Sequence, residues 1–321
     1  MKLQDLLKYK KITIQCHDNP DADSIGSGFA LLKFFESRGV SVRLVYGGRF
    51  EITKVSLKML IEELDIPIEY LGVESRRFDG LLLTVDCQHG AGNVTTMFAD
   101  EIAVIDHHVP EVELPKLSRV EESCGSAGTL VYFMLKEAGF NIEENRDLQT
   151  ALYYGLYSDT YQFRESYGEQ DKVLRDEAKI NRTLFNRLKH ANISLNDLET
   201  AGIALLRNIY NESGRYSVMQ ANPCDPNLLG LLADFLLQVD VVDFCVCYNA
   251  LEDGFKFSVR SSVREVHADD LCEFLTKEIG TGGGRRDKAG GFISKKLYEQ
   301  NYGTMNSEAY FSEKINDFLK L

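Results

Sequence analysis

The chain has 321 residues, and its 36 Lys plus Arg against 49 Asp plus Glu give a formal net charge of −13. Hydrophobic residues make up 44% and charged residues 26%. That balance excludes general disorder, suits two domains of roughly 100–200 residues, and argues against a protein that coats long nucleic acid by charge.

The predicted elements alternate at first. Lys11–Cys16 reads as a strand, and Ser24–Ser37 as a helix with apolar residues at Ile25, Phe29, Leu32 and Phe35. Val40–Tyr46 is a second strand, Leu57–Leu64 a helix, and Gly80–Asp86 and Glu101–Asp106 two further strands. Ser126–Ala138 and Leu148–Tyr157 read as helices. Strands alternating with helices predict an α/β fold with a parallel sheet covered on both faces. From Glu169 to Leu206 the pattern turns helical and polar, and the domain boundary is placed there, giving domains 1–190 and 191–321 joined by a helical linker. The second domain reads as strand 215–221, helix 227–238, strands 241–251 and 254–262, helix 268–278, a glycine-rich loop over 280–291 and a final helix 307–320.

Residues 1–15 lack the apolar core of a signal peptide. The most apolar stretch, Leu228–Tyr248, is broken by Asp234, Gln238, Asp240 and Asp243, so no membrane span of about 20 apolar residues is expected. The seven cysteines include no C-x-x-C pair. Neither a disulfide framework nor a structural zinc site is expected, and the expected location is cytoplasmic.

The chemistry concentrates in His17-Asp18-Asn19-Pro20-Asp21-Ala22-Asp23, between a predicted strand and a predicted helix. Ligands of open parallel sheets bind beyond the carboxyl ends of strands. A capping turn could account for this segment alone. An EF-hand could not, because Ile25 and Leu32 stand where oxygen ligands belong. Three further apolar runs stop at acids or histidines: one delivers Asp86, one Asp106-His107-His108, and one Ser158-Asp159. Buried apolar elements have no structural need of carboxylates at their ends. A mixed imidazole and carboxylate set without thiolate suits Mn²⁺, Mg²⁺ or a similar octahedral ion.

His-x-x-x-Asp-x-Asp, then Asp86, then Asp106-His107-His108, then Asp159, resembles the DHH phosphoesterase superfamily. The run Gly280-Thr281-Gly282-Gly283-Gly284-Arg285-Arg286-Asp287-Lys288-Ala289-Gly290-Gly291 resembles the substrate loop of the associated DHHA1 domain. The resemblance implies an N-terminal parallel-sheet DHH domain, a smaller C-terminal α/β DHHA1 domain and a two-metal hydrolase. One Mn²⁺ would be held by His17, Asp21 and Asp86, and a second by Asp23, Asp86, His107 and Asp159, with Mg²⁺ or Co²⁺ as alternatives. His108 would face the phosphate and Asp106 would orient its neighbours, so the implied catalytic group is His108, Asp86 and Asp106. Implied substrate contacts are Asn19, Arg260, Ser261, Gly282, Gly283, Gly284, Arg285 and Arg286. The family's loop histidine is replaced here by Arg285 or Arg286, depending on the count. Arginine grips phosphate but cannot shuttle protons near neutral pH.

The size and plan look like the nano-RNase (oligoribonuclease) group. The implied substrates are short: oligoribonucleotides of a few residues, linear dinucleotides, or molecules like 3′-phosphoadenosine-5′-phosphate. Long nucleic acid and membranes are not expected as partners, and a homodimer is left open. The alternatives are a nucleotide-binding protein of the same fold with little catalysis, or a phosphatase for another small phosphorylated metabolite.

Overall fold

The computed structural model describes residues 1–164, 168–191, 193–224 and 226–320. The chain divides into two compact units, Met1–Asn192 and Ile193–Leu321.

The first unit runs β1 (Lys11–Cys16), α1 (Ala22–Ser37), β2 (Ser41–Tyr46), α2 (Val55–Glu63), β3 (Ile68–Tyr70), β4 (Leu81–Val85), β5 (Glu101–Asp106), β6 (Leu117–Val120), α3 (Ala127–Glu137), α4 (Arg146–Asp159), α5 (Glu169–Glu177) and α6 (Arg182–His190). Its sheet has the order β3-β2-β1-β4-β5-β6, parallel throughout. Order reverses between β1 and β4, and a parallel sheet opens a ligand crevice at that switch point. β1 and β4 are the central strands. Ile14, Leu81, Leu82, Leu83 and Val85 are fully buried, which explains their unbroken apolar runs. Helices α1, α3 and α4 cover one face, with Phe34, Phe35, Leu135 and Leu152 in the same cluster. Burying each such side chain contributes about 1.5–3 kcal/mol. The other face carries a smaller cluster of Val45, Leu71, Leu82 and Met97, supplied partly by loops.

Gly26 explains how α1 and α4 approach so closely. A Cβ there would stand 2.8 Å from the Ala151 carbonyl oxygen. The contact is helix against helix. The expected long helical stretch 169–206 is three separate helices. Asn181 caps α6 by accepting from the Leu184 amide, and Ser194 accepts from the Asp197 amide to begin the next.

The second unit runs α7 (Leu195–Leu206), β7 (Asn208–Asn211), β8 (Tyr216–Ala221), α8 (Pro226–Leu236), β9 (Phe244–Leu251), β10 (Gly254–Ser261), α9 (Ala268–Thr276), β11 (Gly280–Gly284), β12 (Lys288–Ser294), α10 (Lys295–Tyr302) and α11 (Ser307–Leu319). Its sheet is ordered β11-β12-β10-β9-β8-β7, with β8 and β9 parallel and the other pairs antiparallel. Period-two alternation divides β9 between two cores. Phe244, Val246 and Tyr248 pack with α9 and α11, whereas Cys245 and Cys247 pack with Leu228, Leu229 and Leu232 of α8.

The glycine-rich segment is not a loop. Its two halves are β11 and β12, paired Gly282 to Gly291 and Gly283 to Gly290. A tight turn joins them, with the Arg285 amide donating to the Lys288 carbonyl at 2.7 Å. Glycine carries no strand propensity, so nothing local in the sequence announces this hairpin.

Candidate metal centre

Four pieces of chain end at the switch point. The β1–α1 loop brings His17 and Asp21, and the first turn of α1 brings Asp23. β4 hands over to Asp86, β5 to Asp106, His107 and His108, and α4 ends in Asp159. The structure gathers all six sequence-predicted metal ligands into two groups that share Asp86. His17, Asp21 and Asp86 form one, and Asp23, Asp86, His107 and Asp159 the other; within each group the ligand atoms lie within 4.8 Å of one another.

Asp86 faces both groups with different oxygens. Its Oδ2 is 3.6 Å from His17 Nε2, and its Oδ1 is 3.4 Å from His107 Nε2. His17 Nε2 also lies 3.8 Å from Asp21 Oδ1, and His107 Nε2 lies 3.5 Å from Asp159 Oδ2. Both rings are oriented from behind. His17 Nδ1 meets the Asp18 carbonyl at 2.9 Å, and His107 Nδ1 meets the Cys124 carbonyl at 3.1 Å. A carbonyl only accepts, so Nδ1 carries a proton and Nε2 is the atom presented to the cluster.

Asp23 is held by the start of α3. Its Oδ2 accepts from the Ala127 amide at 2.6 Å and its Oδ1 from the Gly128 amide at 2.9 Å. Gly155 of α4 makes room for it: a Cβ there would stand 2.8 Å from both Asp23 Cα and Oδ1. Asp21 caps α1, accepting from the Asp23 and Ser24 amides.

The donor set fits divalent cations on two independent grounds. Asp86 Oδ1 and His107 Nε2 are buried without a hydrogen-bond partner. Buried polar atoms are seldom left so unless a ligand satisfies them. The protonation pattern gives the same answer. Burial pushes Asp23 well above the usual carboxylate range, and the charges of Asp86 and Asp159 add to this. Burial likewise pushes Asp159 up to about 6, against the pull of His107. Burial opposes the charge on His107, but Asp159 and Asp86 outweigh it and hold the imidazole up at about 12. His17 is raised in the same way, Asp21 and Asp86 overcoming the effect of burial. Without cations, the cluster recruits protons to offset its carboxylates.

That pattern fixes the sign of a pH effect. For His107 the folded value, about 12, lies above the ordinary 6.5. The stabilisation is complete below the unfolded value and is lost as pH rises towards the folded one. Asp159 behaves alike over a lower window, from 3.8 to about 6. The chelator-treated protein therefore loses Tm as pH rises from about 6.5 to about 9, and Mn²⁺ flattens the profile by replacing the protons. Differential scanning calorimetry with EDTA and with Mn²⁺ checks this. A Tm in EDTA that is flat or rising over that range contradicts it.

His108 is in neither of these two groups, but it forms a third close set with Asp86 and His107, ligand atoms again within 4.8 Å of one another. It is half-exposed, 3.8 Å from Asp86 Oδ1, and its Nδ1 meets Asp106 Oδ1 at 2.8 Å. That pairing with Asp106 raises its pKa against the effect of burial. Asp106 is buried and is a member of neither metal group. Its Oδ1 also accepts from the His107 amide, and its Oδ2 accepts from Gln88 Nε2 at 2.8 Å. Burial opposes the Asp106 charge, but His108 and Gln88 keep its carboxyl below the usual range.

Sequence reading missed Gln88, a buried amide whose carbonyl oxygen accepts from the Glu111 amide at 2.8 Å. Only its place two residues after Asp86 could have drawn attention to it. Replacing Gln88 with Leu should lower kcat about 10–100-fold while bound metal stays at wild-type level, the scale of losing an outer orienting partner. Wild-type kcat would show that Gln88 only packs.

The expected substrate residues scatter. Asn19 is exposed in the β1–α1 loop, with φ of 54°. In the second unit, a cavity of about 440 Å³ is lined by Ser261, Ser262, Val263, Arg264, His267, Arg286 and Asp287. Arg264 went unremarked in the sequence because no motif includes it. Arg285 is exposed beside Arg286 in the β11–β12 turn. Gly282, Gly283 and Gly284 lie on β11, the sheet's edge strand. Two expected contacts are engaged by the fold itself. Arg260 Nε pairs with Asp234 Oδ1 at 2.6 Å and its Nη1 donates to Ser258 Oγ, which ties β10 to α8. Ser261 Oγ donates to the Val266 carbonyl at 2.5 Å and braces the loop after β10. Their partners are remote or backbone groups, which the sequence does not identify; for Arg260 a structural role is as consistent with the sequence as a substrate contact.

Among the described residues, no helix is long and apolar enough to cross a membrane. A probable manganese-dependent inorganic pyrophosphatase of Streptococcus thermophilus is 31% identical over 162 residues, 47% of this chain and 48% of that protein. An uncharacterized protein of Methanocaldococcus jannaschii is 26% identical over 290 residues, 88% of this chain and 58% of that protein. The chain thus spans between about half and three-fifths of the length of these relatives. An exopolyphosphatase-related protein from Bacteroides fragilis has the same fold, with a TM-score of 0.72 at 16% identity, covering 98% of this chain and 94% of that one. RecJ from Thermus thermophilus, solved with Mn²⁺, has a TM-score of 0.52 at 16% identity over 98% of this chain and 53% of its own. Residues 11–156 match the family model described as DHH family, N-terminal domain.

Proposed function

We propose that this protein is a manganese-dependent phosphoesterase that hydrolyses phosphoester bonds of short nucleotides: oligoribonucleotides of a few residues, linear dinucleotides or 3′-phosphoadenosine-5′-phosphate-like molecules. The observation that carries the reading is the pair of ligand groups joined through Asp86, with Asp86 Oδ1 and His107 Nε2 buried and unpartnered. His17, Asp21 and Asp86 hold one cation, and Asp23, Asp86, His107 and Asp159 hold the other. Such a pair supplies Lewis-acid polarisation of a phosphoryl oxygen and lowers the pKa of the water it holds.

The chain's own groups do the rest. Asp86 would be shared by the two cations, since its Oδ2 faces His17 and its Oδ1 faces His107. Asp106, fixed by Gln88, keeps the proton on His108 Nδ1 and sets the plane of the ring. His108 then offers Nε2 to the phosphoryl group, to donate a hydrogen bond or a proton as charge develops. Residues 193–321 act as the DHHA1 substrate domain in this reading. Within that unit, the guanidinium groups of Arg264 and Arg286 line one cavity, and two such groups suit a phosphorylated ligand.

A substrate panel with Mn²⁺ tests the reading: RNA dinucleotides and trinucleotides, linear dinucleotides, 3′-phosphoadenosine-5′-phosphate and pyrophosphate. Turnover of the nucleotides is the expected result. Turnover of pyrophosphate alone, or of none, overturns it. Replacing both Arg285 and Arg286 with Ala should raise KM about tenfold with kcat within a factor of about two, because they hold a remote phosphate. An unchanged KM returns the turn to a purely structural role.

A further inference from the structure

We propose that the outer surface of the α7–α8 layer is a homodimer interface, in which α7 of one copy packs antiparallel on α7 of a second across a two-fold axis near Gly202. The inference rests on a different part of the molecule from the chemistry above and does not depend on it.

Helix α7, LNDLETAGIALL, buries only Thr200 and Ala204. Its large residues point outward: Leu195, Leu198 and Leu206 are 80%, 56% and 89% exposed. An apolar stripe left on the outer side of a helix needs a neighbour to cover it. The same layer continues onto α8, where Leu231 and Phe235 are also exposed. Ile203 and Leu205 of α7 are exposed as well, and large apolar side chains gathered on one surface mark an interaction site.

The spacing identifies a second copy as the occupant. Leu195, Leu198, Gly202 and Leu205 follow the 3-4-3 rhythm of a coiled-coil seam. Gly202 stands mid-seam, and no described atom lies within 4 Å of where its Cβ would be. Two helices can cross closely there. Antiparallel crossing brings Leu195 and Leu198 of one copy towards Leu205 and Leu206 of the other. It also brings the exposed Glu199 of one copy towards Arg207 of the other. A seam complementary to its own reverse is what a two-fold interface requires. An anionic membrane is a poor occupant, since α7 carries no Lys or Arg and the chain is −13 overall.

Sedimentation equilibrium of the full-length protein tests this. We expect a dimer at micromolar concentration, and in Leu198→Glu and Leu206→Glu a dissociation constant weakened at least about 100-fold with an unchanged circular dichroism spectrum. Gly202→Cys provides a positive readout: mild oxidation should give a disulfide-linked dimer, which the wild type does not form. A wild type that stays monomeric up to about 100 μM overturns the proposal. So does a dimer whose dissociation constant neither glutamate changes, or a Gly202→Cys protein that does not cross-link.

Discussion

Asp86→Asn is expected to lower kcat by at least about 10²–10³-fold, the scale of removing one electrostatic stabiliser, and to reduce bound Mn²⁺ below two ions per chain. The argument is geometric. Asp86 is the one residue common to both ligand groups, its Oδ1 facing His107 and its Oδ2 facing His17. An amide keeps the shape, removes a full negative charge from both groups at once, and replaces one acceptor oxygen with a donor NH₂. That NH₂ would point at a cation or at an imidazole. The loss therefore falls on binding and chemistry together, and raising Mn²⁺ should restore only part of the rate. Metal analysis after dialysis, paired with turnover of the best substrate, measures both. Wild-type turnover with two ions bound would show that the metal centre is assigned wrongly.

His108→Ala is expected to behave differently, with kcat falling about 10²–10⁴-fold, the range for losing a positioned acid or base, while Mn²⁺ content stays at the wild-type value. His108 is half-exposed, and its closest partner is Asp106, which is itself in neither ligand group. The ring lies close to Asp86 and His107 but is not in either of the two groups joined through Asp86, so its removal leaves those ligands in place. Asp106→Asn should reproduce part of the loss, since an amide in that place no longer holds the Nδ1 proton by a charged bond. The contrast is informative: one variant loses metal and rate, the other rate alone. If His108→Ala shed manganese as Asp86→Asn does, its role would be that of a ligand.

The clustering of these acids and histidines was legible because their chemistry conflicts with their surroundings. Strands such as 81–85 are wholly apolar, so an acid immediately after them has no packing explanation. The glycine hairpin was not legible, because strand β11 has almost no side chains to carry a period. The true partner of Arg260 was hidden for another reason. Asp234 lies 26 residues away on a helix, and the sequence does not say which acid a buried guanidinium will meet. Gln88 is similar, joined to Asp106 across two neighbouring strands. Long-range polar pairing is decided by register, and register is a property of the folded sheet. The Tyr153, Tyr154 and Tyr157 cluster shows the opposite case. Helical spacing alone marks these as core, and they pack edge to face with Phe163 and Phe185.

The backbone at Asp86 constrains what variation the site tolerates. Its φ is 60°, in the left-handed region, where a non-glycine residue is held at some cost and where Asn and Asp are the least unsuited side chains. Glycine would relieve that cost, and asparagine would leave it unchanged. Glutamate, which keeps the charge, fits the backbone worse. A saturation library at position 86, sorted for folding alone, would thus return Gly and Asn before Glu. Mutational drift at the centre of the site leads towards folded, inactive descendants: at this position the chain loses its chemistry before it loses its shape.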